Sequence, residues 1–146
     1  MPVDYSLCFI EDSRCSMEEQ HSLLPLIQNL LLLVRIAHRD GKWELNYLDP
    51  IEDALNSPMY RPLVRLILDN VGQEEFLTIG LNLLGRQEGG RELLRSMLIM
   101  EALHCVMCGI SPHFTAQLLH RLLDGELYQP PSITAGSTPK DPSLKL

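Results

Sequence analysis

A chain of 146 residues is long enough for one domain with a sizeable core. Hydrophobic residues make up 45% of it and charged residues 21%, which excludes a disordered protein, while an aromatic share of 5% leaves Leu, Ile, Val and Met to build a core that favours helices over strands. The formal charge of −7 repels phosphate backbones, so no nucleic-acid partner is expected.

The first fifteen residues contain a short apolar segment, Leu7 to Ile10, compatible with a strand-like arm or with an extra turn packed on the body. The start Met1-Pro2-Val3-Asp4-Tyr5 lacks the basic and apolar regions of a secretory signal. Ser16-Met17-Glu18-Glu19 has the form of a capping box and predicts a helix that runs, kinked at Pro25, to His38. The apolar stretch within it, Leu23 to Ala37, is interrupted by Pro25, Gln28, Asn29 and Arg35 and is shorter than the roughly 20 residues a bilayer span needs. A non-membrane-spanning, cytoplasmic protein is therefore expected, with Cys8, Cys15, Cys105 and Cys108 as reduced thiols.

Asp40-Gly41 stops this helix, and Asp49-Pro50-Ile51-Glu52 offers an N-cap and a first-position proline for a short helix to about Leu55. Ser57-Pro58 repeats the start signal for a helix with an irregular first turn at Pro62, reaching Asp69 before Gly72 ends it. Glu74-Glu75 then open a helix through Phe76, Leu81 and Leu84 to Gly85. Beyond Gly89-Gly90, Arg91 to Cys108 reads as a long and strongly apolar helix ended by Gly109. Ser111-Pro112 starts the last one, with Phe114, Leu118, Leu119, Leu122 and Leu123 on its apolar face.

The expected fold is all-α, a compact bundle of five or six helices over residues 16–126. An N-terminal arm, 1–15, precedes it, and a flexible tail, 127–146, rich in Pro, Ser and Thr, follows. No repeat at a solenoid period is present.

Cys105-Val106-Met107-Cys108 is the one motif with redox or metal potential, and His113 lies near it in sequence. A redox pair sits at a helix N-terminus, where the dipole lowers thiol pKa; this pair sits at a C-terminus, and helical residues three apart share a core face. Metal ligation by Cys105, Cys108 and His113 is the minor reading, and no cofactor is expected. His38 with Asp40 and His120 with Asp124 form no recognisable catalytic set, and Gly85 to Gly90 lacks the lysine of a phosphate loop, so no enzyme is indicated. The polar connection after the first long helix, Arg39, Lys42, Trp43 and Glu44, holds the single tryptophan between charges of both signs. Such a combination is found at the centres of protein interfaces and marks these four residues as the partner-binding candidates.

Two segments resemble the cytoplasmic part of the MotA family of flagellar stator subunits. The first is Val34-Arg35-Ile36-Ala37-His38-Arg39-Asp40-Gly41 with Leu45, Ser57-Pro58-Met59-Tyr60-Arg61 and Leu66-Ile67-Leu68-Asp69. The second is Met97 to Leu103, Gly109-Ile110-Ser111-Pro112 and the Leu118 to Leu123 helix. The resemblance implies a helical module of a membrane motor, although the spans that the family places between these regions are absent. Of the family's rotor-facing charges, the arginine falls near Arg39 and the acid at Asn46. Ala37-His38-Arg39-Asp40-Gly41 within Leu31 to Glu44 is also similar to the helix end of TerB (tellurite-resistance) domains, which implies a cation site on the following acids, a place where Lys42 and Trp43 stand here. The functional expectation is thus a non-enzymatic interaction domain with an unnamed protein partner. A TerB-like cation module and a Cys/His metal protein are the alternatives, and Leu-rich helices with an acidic surface are compatible with a homodimer.

Overall fold

The helix Arg91–Cys108 runs through the middle of the molecule, and every residue from Leu93 to Cys105 is buried. Apolar residues around its whole circumference require cover on all sides, and four other helices supply it. The computed structural model describes Val3, Tyr5 and residues 7–124. In chain order the helices are α1 (Leu7–Asp12), α2 (Met17–His21), α3 (Leu24–Asp40), a 3-10 helix (Lys42–Asn46), α4 (Glu52–Leu55), α5 (Tyr60–Leu68), α6 (Gln73–Leu84), α7 (Arg91–Cys108) and α8 (Pro112–Leu123). The all-α class expected from composition is what is observed, with no strand among the described residues. The five helices of nine or more residues form the bundle, and the shorter pieces are its corners.

α3, α5, α6 and α8 pack on α7, and α3 also packs on α8. α3 buries Leu26, Ile27, Leu30, Leu33, Val34 and Ala37, the three-and-four spacing of one helical face. α6 turns Phe76, Gly80 and Leu84 inward. Gly80 lets α6 approach closely, since a Cβ there would lie 2.7 Å from Cε of Met100.

Several helix boundaries differ from the sequence expectation for identifiable reasons. The capping box at Ser16 is present, with Ser16 Oγ accepting from the Glu19 amide and Glu19 Oε1 accepting from the Ser16 amide, both at 3.1 Å. The helix it opens ends at His21, and Pro25 begins α3 instead of kinking a continuous helix. In a first turn the missing proline N–H costs nothing, whereas in mid-helix it would remove a hydrogen bond and crowd the preceding turn. The helix expected at Asp49-Pro50 starts at Glu52, because the Ile51 amide donates to Oδ1 of Asn29 on α3 at 3.1 Å and Ile51 is held extended. Ser57 caps no helix directly; its hydroxyl accepts from the Met59 amide at 3.1 Å, and α5 begins at Tyr60 with Pro62 in its first turn. α5 ends at Leu68, and Asn70 (φ 61°) rather than Gly72 takes the left-handed position. The amides of Asn70 and Val71 donate back to the carbonyls of Ile67 and Leu66 at 3.1 and 3.2 Å, a Schellman closure. Gly109 (φ 70°) and the Ser111 cap on the Phe114 amide stand where the sequence placed them.

Ahead of residue 16 the chain is helical over α1, and Val3, Tyr5 and Ile10 join the same core as the bundle. The Gly90 amide donates to the Asp12 carbonyl at 2.6 Å, tying α1 to the start of α7. The tail expected over 127–146 lies outside the described residues.

The two glycine contacts separate rigid from yielding obstacles. A Cβ on Gly89 would meet the Asp12 carbonyl oxygen at 2.8 Å, a backbone atom already engaged by Gly90, so Gly89→Ala should cost about 1–3 kcal/mol. Gly80→Ala meets only the mobile end of Met100 and gains helix propensity, so its net change should stay within about 1 kcal/mol. Urea unfolding of the two variants measures this difference, and an equal loss in both would refute it.

Candidate functional site

The connection between α3 and α4 is built on backbone that only glycine adopts easily: Gly41 has φ 104° and its amide donates to the Ala37 carbonyl at 2.8 Å. The chain then turns through the 3-10 helix, anchored by the buried Leu45. Lys42 reaches across to the end of α5, where its Nζ donates to the Ile67 carbonyl at 3.1 Å and to Oδ1 of Asn70. A cation at the negative end of a helix dipole, bonded to one of its last carbonyls, is a structural clasp. The same ammonium sits 5.3 Å from the centroid of the Trp43 ring, which it helps to hold in place.

The four sequence-predicted partner residues are therefore unequal. Arg39 is exposed but its guanidinium makes a two-pronged contact with the adjacent Asp40, with Nη2 2.8 Å from Oδ2, and this pairing raises the Arg39 pKa and lowers that of Asp40. Lys42 is committed to α5, and Glu44 is half-buried. Trp43 alone of the four presents a large apolar surface, 53% exposed. Tyr47, immediately after the 3-10 helix, is 80% exposed and extends that surface. Sequence reasoning missed Tyr47 because a lone tyrosine in a polar connection carries no sign of whether it faces inward or outward.

Beside this aromatic edge, the 3-10 helix, the loop after it and α5 enclose a cleft of about 410 Å³. Leu45, Leu48, Val64 and Leu68 give it apolar walls, and Tyr60, Arg61 and Arg65 line its α5 side. Burial raises the Tyr60 hydroxyl above its usual pKa, and the charge of Arg61 opposes the shift.

The second polar concentration lies inside the bundle on α7. Glu101 is fully buried; its Oε2 accepts from the Val3 amide at 3.3 Å, while Oε1 has no partner among the described residues. Burial pushes its carboxyl up to about 7 against the hydrogen bond from the Val3 amide. His104, one turn on, is held below its ordinary pKa by burial, with Nε2 3.2 Å from the Gln73 amide nitrogen and 3.5 Å from Sγ of Cys108. Burial pushes the Cys105 thiol up to about 11 and raises Cys108 as well, the reverse of what a reactive thiol needs. His113 stands on the exposed face of α8, where its Nε2 lies 3.4 Å from the Gln117 side chain. Among the described residues no three His, Cys, Asp or Glu side chains come together to hold a metal.

Sequence reasoning also missed an ion cluster at the base of α7. Asp53 on α4 pairs with Arg91 at 2.7 Å and with Arg95 at 3.1 Å, Arg95 also engages Glu92, and Arg91 Nε donates to Ser22 Oγ at 2.8 Å. Burial alone would raise the Asp53 carboxyl, but the hydrogen bonds from the two arginines outweigh it and hold the pKa low. These links fasten α4 and the α2–α3 corner to α7 and present no open acid or base. Among the described residues no helix is long and apolar enough to cross a membrane. Comparison of the chain with protein-family models, curated proteins and solved structures gives no match.

Two predictions separate structural from surface roles. Because folding raises the Glu101 pKa from 4.5 to about 7, the stabilisation belongs to the protonated form: it is complete below pH 4.5 and is lost as pH rises through about 7. Urea unfolding should therefore show wild type losing roughly 2–3 kcal/mol between about pH 4.5 and about pH 8.5 relative to Glu101→Gln, and parallel pH profiles would refute the shift. Lys42→Glu should lower stability by about 1–2 kcal/mol through loss of the α5 clasp, whereas Lys42→Arg retains most of it; thermal melts of both test this.

Proposed function

We propose that this chain is a non-enzymatic helical domain that binds another protein through the edge formed by the 3-10 helix and Tyr47. The observation that carries the reading is the exposure of Trp43 and Tyr47, 53% and 80%, on backbone that Gly41, the buried Leu45 and the Lys42 clasp hold in one conformation. Leaving two large aromatic rings in water on a rigid turn forgoes burial that the same rings would gain against a partner. Such rings lose little entropy on docking, which makes them favourable anchors for an interface. Glu44 and the paired Arg39 and Asp40 supply a polar rim.

The buried α7 groups support the same reading from the opposite side. Glu101, His104 and Cys105 are enclosed in the core, and a catalytic acid, base or nucleophile has to meet substrate. The likeness of the α3 end and of Gly109 to Pro112 to stator subunits is what would place the partner in a motility setting.

The double variant Trp43→Ala/Tyr47→Ser should keep the wild-type helical circular dichroism and a melting temperature within a few degrees, since neither ring is in the core. Immobilised wild-type chain should retain a defined protein from a lysate of its own source that the variant releases, with a loss of about 2 kcal/mol or more in affinity once that protein is purified. Equal retention by both chains would sink the assignment of the surface.

A further inference from the structure

The cleft between the 3-10 helix and α5 has features that neither packing nor the aromatic edge explains. Tyr60 lines it and is 4% exposed, yet its hydroxyl is buried with no partner among the described residues. A buried hydroxyl without a partner costs on the order of 1–3 kcal/mol, which a polar atom brought into the cleft would recover. Arg61 and Arg65 line the same side one helical turn apart; both are exposed, and neither has an ion pair among the described residues.

α5 adds to the mismatch. Its first turn holds no acid and carries Arg61 instead, so the positive end of the dipole and a guanidinium lie together. An anion at that place would relieve both. Val64 and Leu68 lie beside the cations on the same face of α5, and Leu45 and Leu48 line the cleft from the 3-10 helix and the loop after it; together they favour an apolar body. The volume of about 410 Å³ is toward the small end of the roughly 300–1,000 Å³ of ligand sites.

We infer that this cleft binds a compact amphiphilic carboxylate, its apolar chain against the leucine and valine walls and its head group between Arg61, Arg65 and the Tyr60 hydroxyl. The charge decides for a monoanion. Two arginines and Asp49 give the lining a net +1, in a chain of net −7, which balances a carboxylate but undercompensates a phosphate dianion. The site stands independently of the Trp43 and Tyr47 surface, since none of the residues holding the head group belongs to it.

The test is a backbone-amide NMR titration of the uniformly labelled full chain with octanoate below its micelle concentration, with octanol and inorganic phosphate as separate probes. Octanoate should give saturable shifts centred on residues 45–68, about tenfold or more tighter than octanol, and phosphate alone should give none that saturate. Arg61→Gln/Arg65→Gln should lose about tenfold or more in octanoate affinity with an unchanged melting temperature, and Tyr60→Phe should lose several-fold. If the double variant melts early, Arg65→Gln alone is read in its place. Equal binding of octanol, saturable binding of phosphate at the same amides, shifts centred elsewhere, no saturation by octanoate, or wild-type affinity in the arginine variants would each overturn the inference.

Discussion

α7 has no solvent-facing side over thirteen consecutive residues, Leu93 to Cys105, and the rest of the molecule is arranged to satisfy that demand. A helix of this kind cannot be covered by one neighbour, so α3, α5, α6 and α8 surround it, and Val3, Tyr5 and Ile10 extend the same core beyond the bundle. The apolar contacts are undirected and would tolerate sliding or rotation. What fixes the register is polar. Arg95 and Arg91 meet Asp53 at one end, Ser96 meets Ser57 in the middle at 3.3 Å, and Glu101 receives the Val3 amide further along. Each bond is correct in one alignment only, because a displaced partner would leave a buried charge or hydroxyl unpaired.

Glu101 shows that specificity and stability are separate matters. A carboxyl with burial enough to bring its pKa to about 7 is not there for the energy it contributes near neutral pH, where an amide of the same shape would serve better. Its place opposite the Val3 amide and near the Tyr5 ring orients the start of the chain against α7, Tyr5 donating to the Met97 carbonyl at 3.1 Å. Cys105 behaves as a small apolar residue in the same packing, where burial pushes its thiol up to about 11.

The helical class was legible because the evidence for it is local: leucines at helical spacing, serine caps at Ser16 and Ser111, and a glycine at 109. Boundaries shifted where one signal had to compete with another, distant or local. Asn29 holds Ile51 extended, so a proline that resembles a first helical position falls outside the helix; Asn70 takes a left-handed turn that Gly72 seemed better suited to supply. The surface was half legible. Trp43 was visible as a rare residue among charges, but no local pattern states that Lys42 turns away to α5, that Arg39 is occupied by its neighbour, or that Tyr47 faces solvent. The cleft was invisible, since its walls come from three separate elements and its cations belong to a helix whose spacing reads only as amphipathic.

The single clasp from Lys42 to the end of α5 connects these features. It closes the negative end of α5 with a fixed cation and at the same time fixes the turn that bears Trp43, so the aromatic edge and the far end of the cleft helix share one anchor. The positive end of α5 has no such complement: there the chain supplies Arg61 where an acid is usual. A helix capped by its own protein at one end and left with excess positive charge at the other, beside an apolar recess and a buried hydroxyl without a partner, is electrostatically unfinished at one place only. On a chain of net −7 that local excess is a departure from the overall field, and it is the charge that the proposed carboxylate would complement.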